Sequence, residues 1–428
     1  MTYSEVLEFL FNQLPMFQRS GPSAYKDNLD NTLRLDEWFG HPHRRFKTIH
    51  VAGTNGKGSV SHMLASVLQE AGFKTGLYTS PHLRDFRERI RINGGMIPEA
   101  AVTNFVKNHR AIIEEISPSF FEMTVAMAFD YFAAQQVEVA VIEVGLGGRL
   151  DSTNIIQPEV SVITNIGMDH IALLGDTLPL IAREKAGIIK DNTPVVIGQT
   201  QEVVMPVFRE VAEQRGAPLV IADNHFNAVL KKRTIANQVL DIYRQGLPYI
   251  KDLQLPLPGQ YQLLNVPTVC AVVDQLILKG YPIMVEQVQQ GLNRVVDNTG
   301  LAGRWQVLGE HPAIVCDTGH NEDGIKEVVA QIKATPHERL HIVFGMVNDK
   351  ALMPVLKLLP LEAVYYFTQA QIPRSLDAHV LMQTAEGLGL KGRAFTSVEA
   401  AYTEAKKNAG FNDLIFIGGS TFVVAEVV

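Results

Sequence analysis

Two cysteines in 428 residues are too few for a disulfide framework. Cys270 and Cys316 also lack the CxxC spacing of a metal site, so both read as small core residues in a reducing cytosol. Positive charge is scarce as well. The chain has 38 Lys+Arg against 45 Asp+Glu, a net charge of −7. That balance excludes a general nucleic-acid or acidic-membrane binder, which needs a basic face. No apolar run approaches the ~18–20 residues of a membrane helix. The opening MTYSEVLEFLFNQL carries Glu5 and Glu8 and no basic region, so it does not read as a signal peptide. Repeats, low-complexity tracts and charge blocks are missing too. What remains is a cytoplasmic globular chain with no nucleic acid and no membrane among its partners.

At 46% hydrophobic and 19% charged residues, the composition is that of an ordinary folded protein. The length exceeds one ordinary core, so two domains are expected. KTIHVAG (47–53), TGLYTS (75–80), VEVAVIEVG (137–145), VSVITNIG (160–167) and TPVVIG (193–198) read as buried strands. Strands apolar on both faces belong in a parallel sheet covered by helices. Val60, Met63, Leu64, Val67, Leu68 and Ala71 mark one face of a helix after the first strand. The alternation restarts at AIVCDTG (313–319), LHIVFG (340–345), AVYYFT (363–368) and DLIFIGG (413–419). A polar, glycine-bearing hinge near Asn298–Gly303 divides the blocks, giving domains 1–298 and 299–428. Both are expected to be doubly wound α/β folds with ligands at the carboxyl ends of their strands.

The strongest local signal is Gly53-Thr54-Asn55-Gly56-Lys57-Gly58-Ser59, between a strand and a helix. Glycines let backbone amides turn toward an anion, and the helix adds its positive end. Lys57 is placed to reach the β- and γ-phosphates of ATP, and Ser59 or Thr54 to meet Mg²⁺. The match to GxxxxGK[ST] is imperfect, because Val51 stands where its first glycine belongs and Gly58 separates Lys57 from Ser59. Glu143 closes a strand at the functional edge and reads as a magnesium ligand, and His170, with Asp169 beside it, ends a segment in the same location. For a planar heterocycle, Phe121 offers a stacking face and Asp151 a hydrogen-bonding carboxylate.

HVAGTNGKGS, GLYTSPHL (76–83), RERIRING (87–94), VIEVGLGGRLDSTN (141–154), ITNIGMDH, EKAGIIK (184–190), LPGQYQLLN (257–265), GRW (303–305) and DTGHN (317–321) follow in order along the chain. This series resembles the folylpolyglutamate and dihydrofolate synthases, the folate branch of the Mur-type amide ligases. The resemblance implies a P-loop ATPase domain with a parallel-rich sheet, followed by a Rossmann-like ligase domain that binds glutamate. It implies a monomer that uses ATP and Mg²⁺ to add L-glutamate to folate or dihydropteroate through an acyl phosphate. It further implies Ser80 near a metal, His170 as a ligand of it, Asn265 on the nucleotide, and Asp317 on its ribose. His320 would then meet glutamate or the phosphates, Ser420 would lie near glutamate, and Asp151 and Ser152 of LDSTN would face the pterin. Arg304, beyond the hinge, would reach phosphate on closure like an arginine finger in cis. Lys185 matches the lysine that CO₂ carbamylates in this superfamily, a change from a cation to a carboxylate-like anion. DTGHN departs from the family's usual D-G/V-A-H-N at Thr318-Gly319. Two other readings stand beside this one: a Mur-type ligase acting on a UDP-sugar peptide, and a nucleotide-dependent P-loop switch.

Overall fold

The computed structural model describes residues 1–15, 28–348 and 352–428. The chain divides into two compact units. One comprises Met1–Lys231, Val239–Leu255 and Gln262–Gly300, and the other Lys232–Gln238, Pro256–Tyr261 and Leu301–Val428. The sequence suggested one crossing near Asn298–Gly303 and placed all of 1–298 in the first domain. Two short upstream segments instead pack with the second unit. Their polar groups explain it. Gln331 Nε2 donates to the Pro258 carbonyl at 3.3 Å, and its Oε1 accepts from the Gln260 amide at 3.1 Å. Gln238 donates to the Leu257 and Gly259 carbonyls at 2.7 and 3.2 Å.

The first unit is built on an eight-stranded sheet of order β4-β3-β2-β5-β1-β6-β7-β8. Its strands are β1 (Lys47–Ala52), β2 (Thr75–Tyr78), β3 (Ile90–Ile92), β4 (Gly95–Met96), β5 (Val139–Glu143), β6 (Val160–Ile163), β7 (Val195–Ile197) and β8 (Leu219–Ile221). The run from β2 to β8 is parallel, and β3 and β4 add an antiparallel edge. All five residues of β5 are buried, as expected of a central strand covered on both faces. Phe46, Tyr78, Phe129, Phe132 and Ile142 belong to one core cluster, and Ile163, Ile181, Ile189, Ile197 and Phe208 to another. The helix Lys57–Glu70 is buried continuously from Gly58 to Leu68. Its amino end therefore sits on a fully enclosed element.

A three-stranded sheet of order β11-β10-β9 follows, with β9 (Phe226–Arg233), β10 (Gln238–Arg244) and β11 (Leu247–Leu255). The sequence analysis does not anticipate it, because no long apolar run marks its strands. These strands alternate with charge instead. The available signal is Gln245-Gly246, both at positive φ (+49° and +81°), in the two-residue turn between β10 and β11.

The second unit holds a six-stranded sheet of order β12-β13-β17-β14-β15-β16. Its strands are β12 (Gln306–Glu310), β13 (Ala313–Asp317), β14 (Leu340–Phe344), β15 (Val364–Phe367), β16 (Gly392–Ala394) and β17 (Leu414–Gly418). Only β12 runs antiparallel to its neighbour. At the amino edge of this sheet, buried Asp413 receives the amides of Arg339 and Gly410 at 3.0 and 2.7 Å and lies 3.1 Å from His341 Nε2. Burial pushes the carboxyl pKa up, but these hydrogen bonds outweigh it and hold the group low. Asp413→Ala strands two amides and an imidazole. It is expected to cost about 2–3 kcal/mol, measurable as a lower urea midpoint at unchanged m-value.

Candidate active site

Gly53 and Gly56 give the loop after β1 its shape. Gly53 has φ +147°, and a Cβ there would fall 1.8 Å from Thr164 Oγ1. Gly56, at φ +86°, would place one 2.5 Å from Asn265 Oδ1. The helix Lys57–Glu70 begins without a side-chain cap, so its first-turn amides keep the orientation that favours an anion. Gly58 and Ser59 lie in that turn. Lys57 Nζ donates to the carbonyls of Gly53 and Thr54 at 3.0 and 3.1 Å. Lys185, on the helix Leu178–Ala186, is also buried and donates to the same Gly53 carbonyl at 2.9 Å. It does not face solvent.

Burial first, then the neighbouring Lys57, brings the Lys185 pKa down to about 7. Between about pH 7 and the ordinary lysine value, the unfolded chain therefore binds a proton that the folded chain does not. Stability rises with pH wherever the unfolded state holds more protons. Without nucleotide, in CO₂-free buffer, the wild type is expected to gain stability relative to Lys185→Met as pH rises from about 7 to 10. Denaturant midpoints across that range check it. Parallel curves for the two proteins contradict it.

The loop after β6 holds the phosphate loop in place. The Thr54 hydroxyl donates to the Gly167 carbonyl at 3.2 Å and accepts its amide at 2.9 Å. The Asn55 amide donates to Asn165 Oδ1 at 2.9 Å, and its carbonyl accepts from Thr164 Oγ1 at 2.6 Å. Thr54 was one of two hydroxyls expected near magnesium, and the structure engages it with Gly167. Ser59 is different: its Oγ accepts from Gln262 Nε2 at 3.2 Å, and Gln262 Oε1 accepts from Asn265 Nδ2 at 2.8 Å. The helix Gln262–Leu278 thus presents Gln262 to Ser59 and Asn265 to Gly56. The sequence analysis assigns no role to Thr164 and Asn165, although two polar residues directly after an apolar strand are a visible signal.

Glu143 ends β5, is buried, and accepts the Ser80 amide at 3.2 Å. Beside Ser80, His82 Nδ1 accepts from the buried Arg89 Nε at 2.7 Å. Burial first, then Arg89, pushes the His82 pKa down to about 3, so this imidazole stays neutral. His170 has φ +51°, and its Nε2 lies 3.9 Å from Asp169 Oδ1. Among the described residues, no three His, Cys, Asp or Glu side chains form a group able to hold a metal alone. The expected set of Ser59, Ser80, Glu143 and His170 is thus no self-sufficient cage. Hydroxyl and carboxylate oxygens suit a magnesium ion that completes its shell with phosphate and water.

Phe121 packs at the opening of the helix Phe120–Ala134, its ring centroid 6.1 Å from that of Tyr78. A Cβ on Gly145 would fall 2.4 Å from this ring. Asp151 meets the same turn: its Oδ2 accepts the Gly145 and Leu146 amides at 3.0 and 2.9 Å. Its Oδ1 accepts the Thr153 amide at 2.9 Å and the Thr153 hydroxyl. The sequence expectation gave Asp151 a ligand's donor edge. Instead, the buried carboxylate is engaged by its own chain, where it shapes the glycine-rich turn next to Phe121. Ser152 is buried at the start of the 3₁₀ turn Ser152–Ile155.

In the second unit, Arg304 Nη1 donates to the Gly303 carbonyl at 3.2 Å and to the Thr318 hydroxyl. Thr318, the residue that departs from the family pattern, is thus a partner of Arg304. His320 Nδ1 lies 3.0 Å from the Thr318 carbonyl. Asp317 is buried, and the Tyr261 hydroxyl, Trp305 amide and Gly319 amide all donate to it. Ser420 is also buried, and its hydroxyl accepts the Val423 amide at 3.1 Å as the cap of the helix Thr421–Ala425.

Residues 51–273 match the Mur ligase middle domain, and residues 303–421 the Mur ligase glutamate ligase domain. The dihydrofolate synthase/folylpolyglutamate synthase of Bacillus subtilis is 32% identical over 412 residues, 94% of each chain. This chain belongs to the dihydrofolate synthase/folylpolyglutamate synthase family of Mur ligases. A probable bifunctional folylpolyglutamate synthase/dihydropteroate synthase of Haloferax volcanii is 33% identical, and the chain spans 50% of its length. Among solved structures, Escherichia coli FolC in complex with DHPP and ADP has a TM-score of 0.87. It is 30% identical, with 100% of this chain and 97% of that one covered. A bifunctional folylpolyglutamate synthase/dihydrofolate synthase with Mn, AMPPNP and L-glutamate bound has a TM-score of 0.84 and 28% identity, covering 100% and 97%. The family's α/β architecture, with a parallel-rich first sheet and a separate second sheet, is the one found here.

Proposed function

We propose that this ATP-dependent ligase joins L-glutamate to a folate or to dihydropteroate through an acyl phosphate. The observation that carries the proposal is the convergence of Lys57 and Lys185 on the Gly53 carbonyl, at the uncapped start of a buried helix. Lys57 and the amides at the start of this helix form a receptor for the phosphates of ATP, and Lys185 reaches the same loop from the helix Leu178–Ala186. Magnesium, held by Ser59, Ser80 and Glu143 together with phosphate oxygens, would supply charge against the transferred phosphoryl group. His170, on the loop after β6 with Asp169 beside it, is proposed as a further ligand of that magnesium. Lys185 is proposed to serve as a carbamate, because its depressed pKa supplies the neutral amine that reaction with CO₂ requires.

The phosphoryl step needs charge neutralisation and alignment more than covalent chemistry. Converting a carboxylate to an acyl phosphate supplies a good leaving group, so the amine of glutamate can displace phosphate. Phe121 would stack on the pterin, with Asp151 and Ser152 shaping the turn beside it. Asn265 and Gly56 would bear on the nucleotide. Arg304, Asp317, His320 and Ser420 are proposed for the nucleotide and glutamate side. The domains are read accordingly, as an ATP- and folate-binding domain and a glutamate-binding ligase domain. The working unit is proposed to be a cytoplasmic monomer. Two buried free cysteines suit a reducing compartment, and no described helix is long and apolar enough to cross a membrane.

Purified chain is offered dihydropteroate and tetrahydrofolate separately, each with L-glutamate and Mg-ATP. Mass spectrometry should show one added glutamate, with phosphate released in step. Turnover confined to UDP-linked peptide acceptors would overturn the proposal.

A further inference from the structure

We infer that the Tyr261 hydroxyl is a positioning group for the ligase reaction, setting through Asp317 the turns that carry Arg304 and His320. The inference rests on the ligase reading above. Asp317 ends β13 and is only 3% exposed. Oδ2 accepts from the Tyr261 hydroxyl at 2.6 Å and from the Trp305 amide at 2.8 Å, and Oδ1 accepts from the Gly319 amide at 2.8 Å. Each donor comes from a different turn. Trp305 directly follows Arg304 and has φ +45°, a left-handed conformation that a bulky side chain keeps only when its surroundings hold it there. Gly319 directly precedes His320. One carboxylate therefore fixes the backbone on which both functional side chains stand.

Tyr261 is the least replaceable of the three donors. The other two are amides that the backbone supplies whatever the side chain, whereas the phenol exists only because position 261 is tyrosine. A 2.6 Å O–H···O⁻ contact belongs to the strong, charge-assisted class. Without it, a buried carboxylate oxygen is left with fewer donors than its charge needs. The next residue extends the argument. Gln262 belongs to the first unit and donates to Ser59 Oγ, the hydroxyl proposed for magnesium. Consecutive residues thus hold a key polar group in each unit. The peptide between them is a point where the chain passes from one unit to the other.

Tyr261→Phe keeps the ring and removes one oxygen atom. The expected result is a fall of about ten- to hundredfold in kcat for glutamate addition. The KM for the folate or dihydropteroate acceptor should stay within about twofold, since Phe121, Asp151 and Ser152, the residues proposed for it, lie on none of these turns. Circular dichroism at the assay temperature should show a fully folded protein. The decisive measurement is the double variant with Asp317→Asn. If Tyr261 acts through Asp317, the two kcat losses overlap instead of multiplying. An unchanged kcat in Tyr261→Phe overturns the inference, as do losses that multiply or a loss that tracks a reduced folded fraction. A wild type that adds no glutamate refutes the ligase reading itself. An active wild type with an unaffected Tyr261→Phe refutes only this role.

Discussion

Lys57→Ala is expected to lower turnover by about 10²–10³-fold, the usual cost of losing one preorganised electrostatic partner of a developing charge. The ammonium is already held over the loop by the Gly53 and Thr54 carbonyls, so it needs little rearrangement to face a phosphate. The fold should survive, because Lys57 is the first residue of its helix and the buried stretch begins after it. A second effect follows. Lys57 is the like charge that helps depress Lys185, so the variant should keep Lys185 protonated to higher pH. Single-turnover phosphate release and the thermal midpoint separate lost chemistry from lost folding. Near-normal turnover by a folded Lys57→Ala protein would remove the loop from the mechanism.

Lys185→Ala is expected to lose activity on a similar scale, about 10²–10³-fold, and to recover part of it when acetate is added. An alanine leaves space where the side chain stood, and a small carboxylate can supply the negative oxygens that a carbamate would have placed there. A chloride control at equal ionic strength isolates the carboxylate. Rescue by acetate supports a carbamylated lysine. Equal effects of acetate and chloride would assign Lys185 a role as a simple cation. A fully active alanine variant would give it no role.

The parallel core strands were legible in the sequence because burial on both faces leaves continuous apolar runs such as VAVIE and LIFIG. The phosphate loop was legible because few other strand-to-helix turns need two glycines, a lysine and a hydroxyl together. Other features were hidden by their chemistry. The three-stranded sheet alternates Lys, Arg and Asp with apolar residues and so never produces a run. Roles within the loops were harder still. Thr54 and Ser59 are equivalent on paper, and only their partners, Gly167 and Gln262, distinguish them. Asp151, Asp317 and Ser420 were read as ligand contacts because their motifs matched. In the structure all three are buried and bonded to backbone amides. A carboxylate beside glycines has two uses, to bind a ligand or to shape the turn, and the sequence does not say which prevails.

The second unit is not a contiguous stretch of chain, and this limits how the gene can be divided. A fragment beginning at Leu301 would lack Pro256–Tyr261 and Lys232–Gln238. Asp317 would then meet water where the Tyr261 hydroxyl stood, and Gln331 would lose the Pro258 carbonyl and the Gln260 amide. Such a piece is a poor cassette for shuffling onto another ATPase, because part of its own framework is encoded upstream. Recombination that keeps the ligase half intact must carry both upstream segments with it.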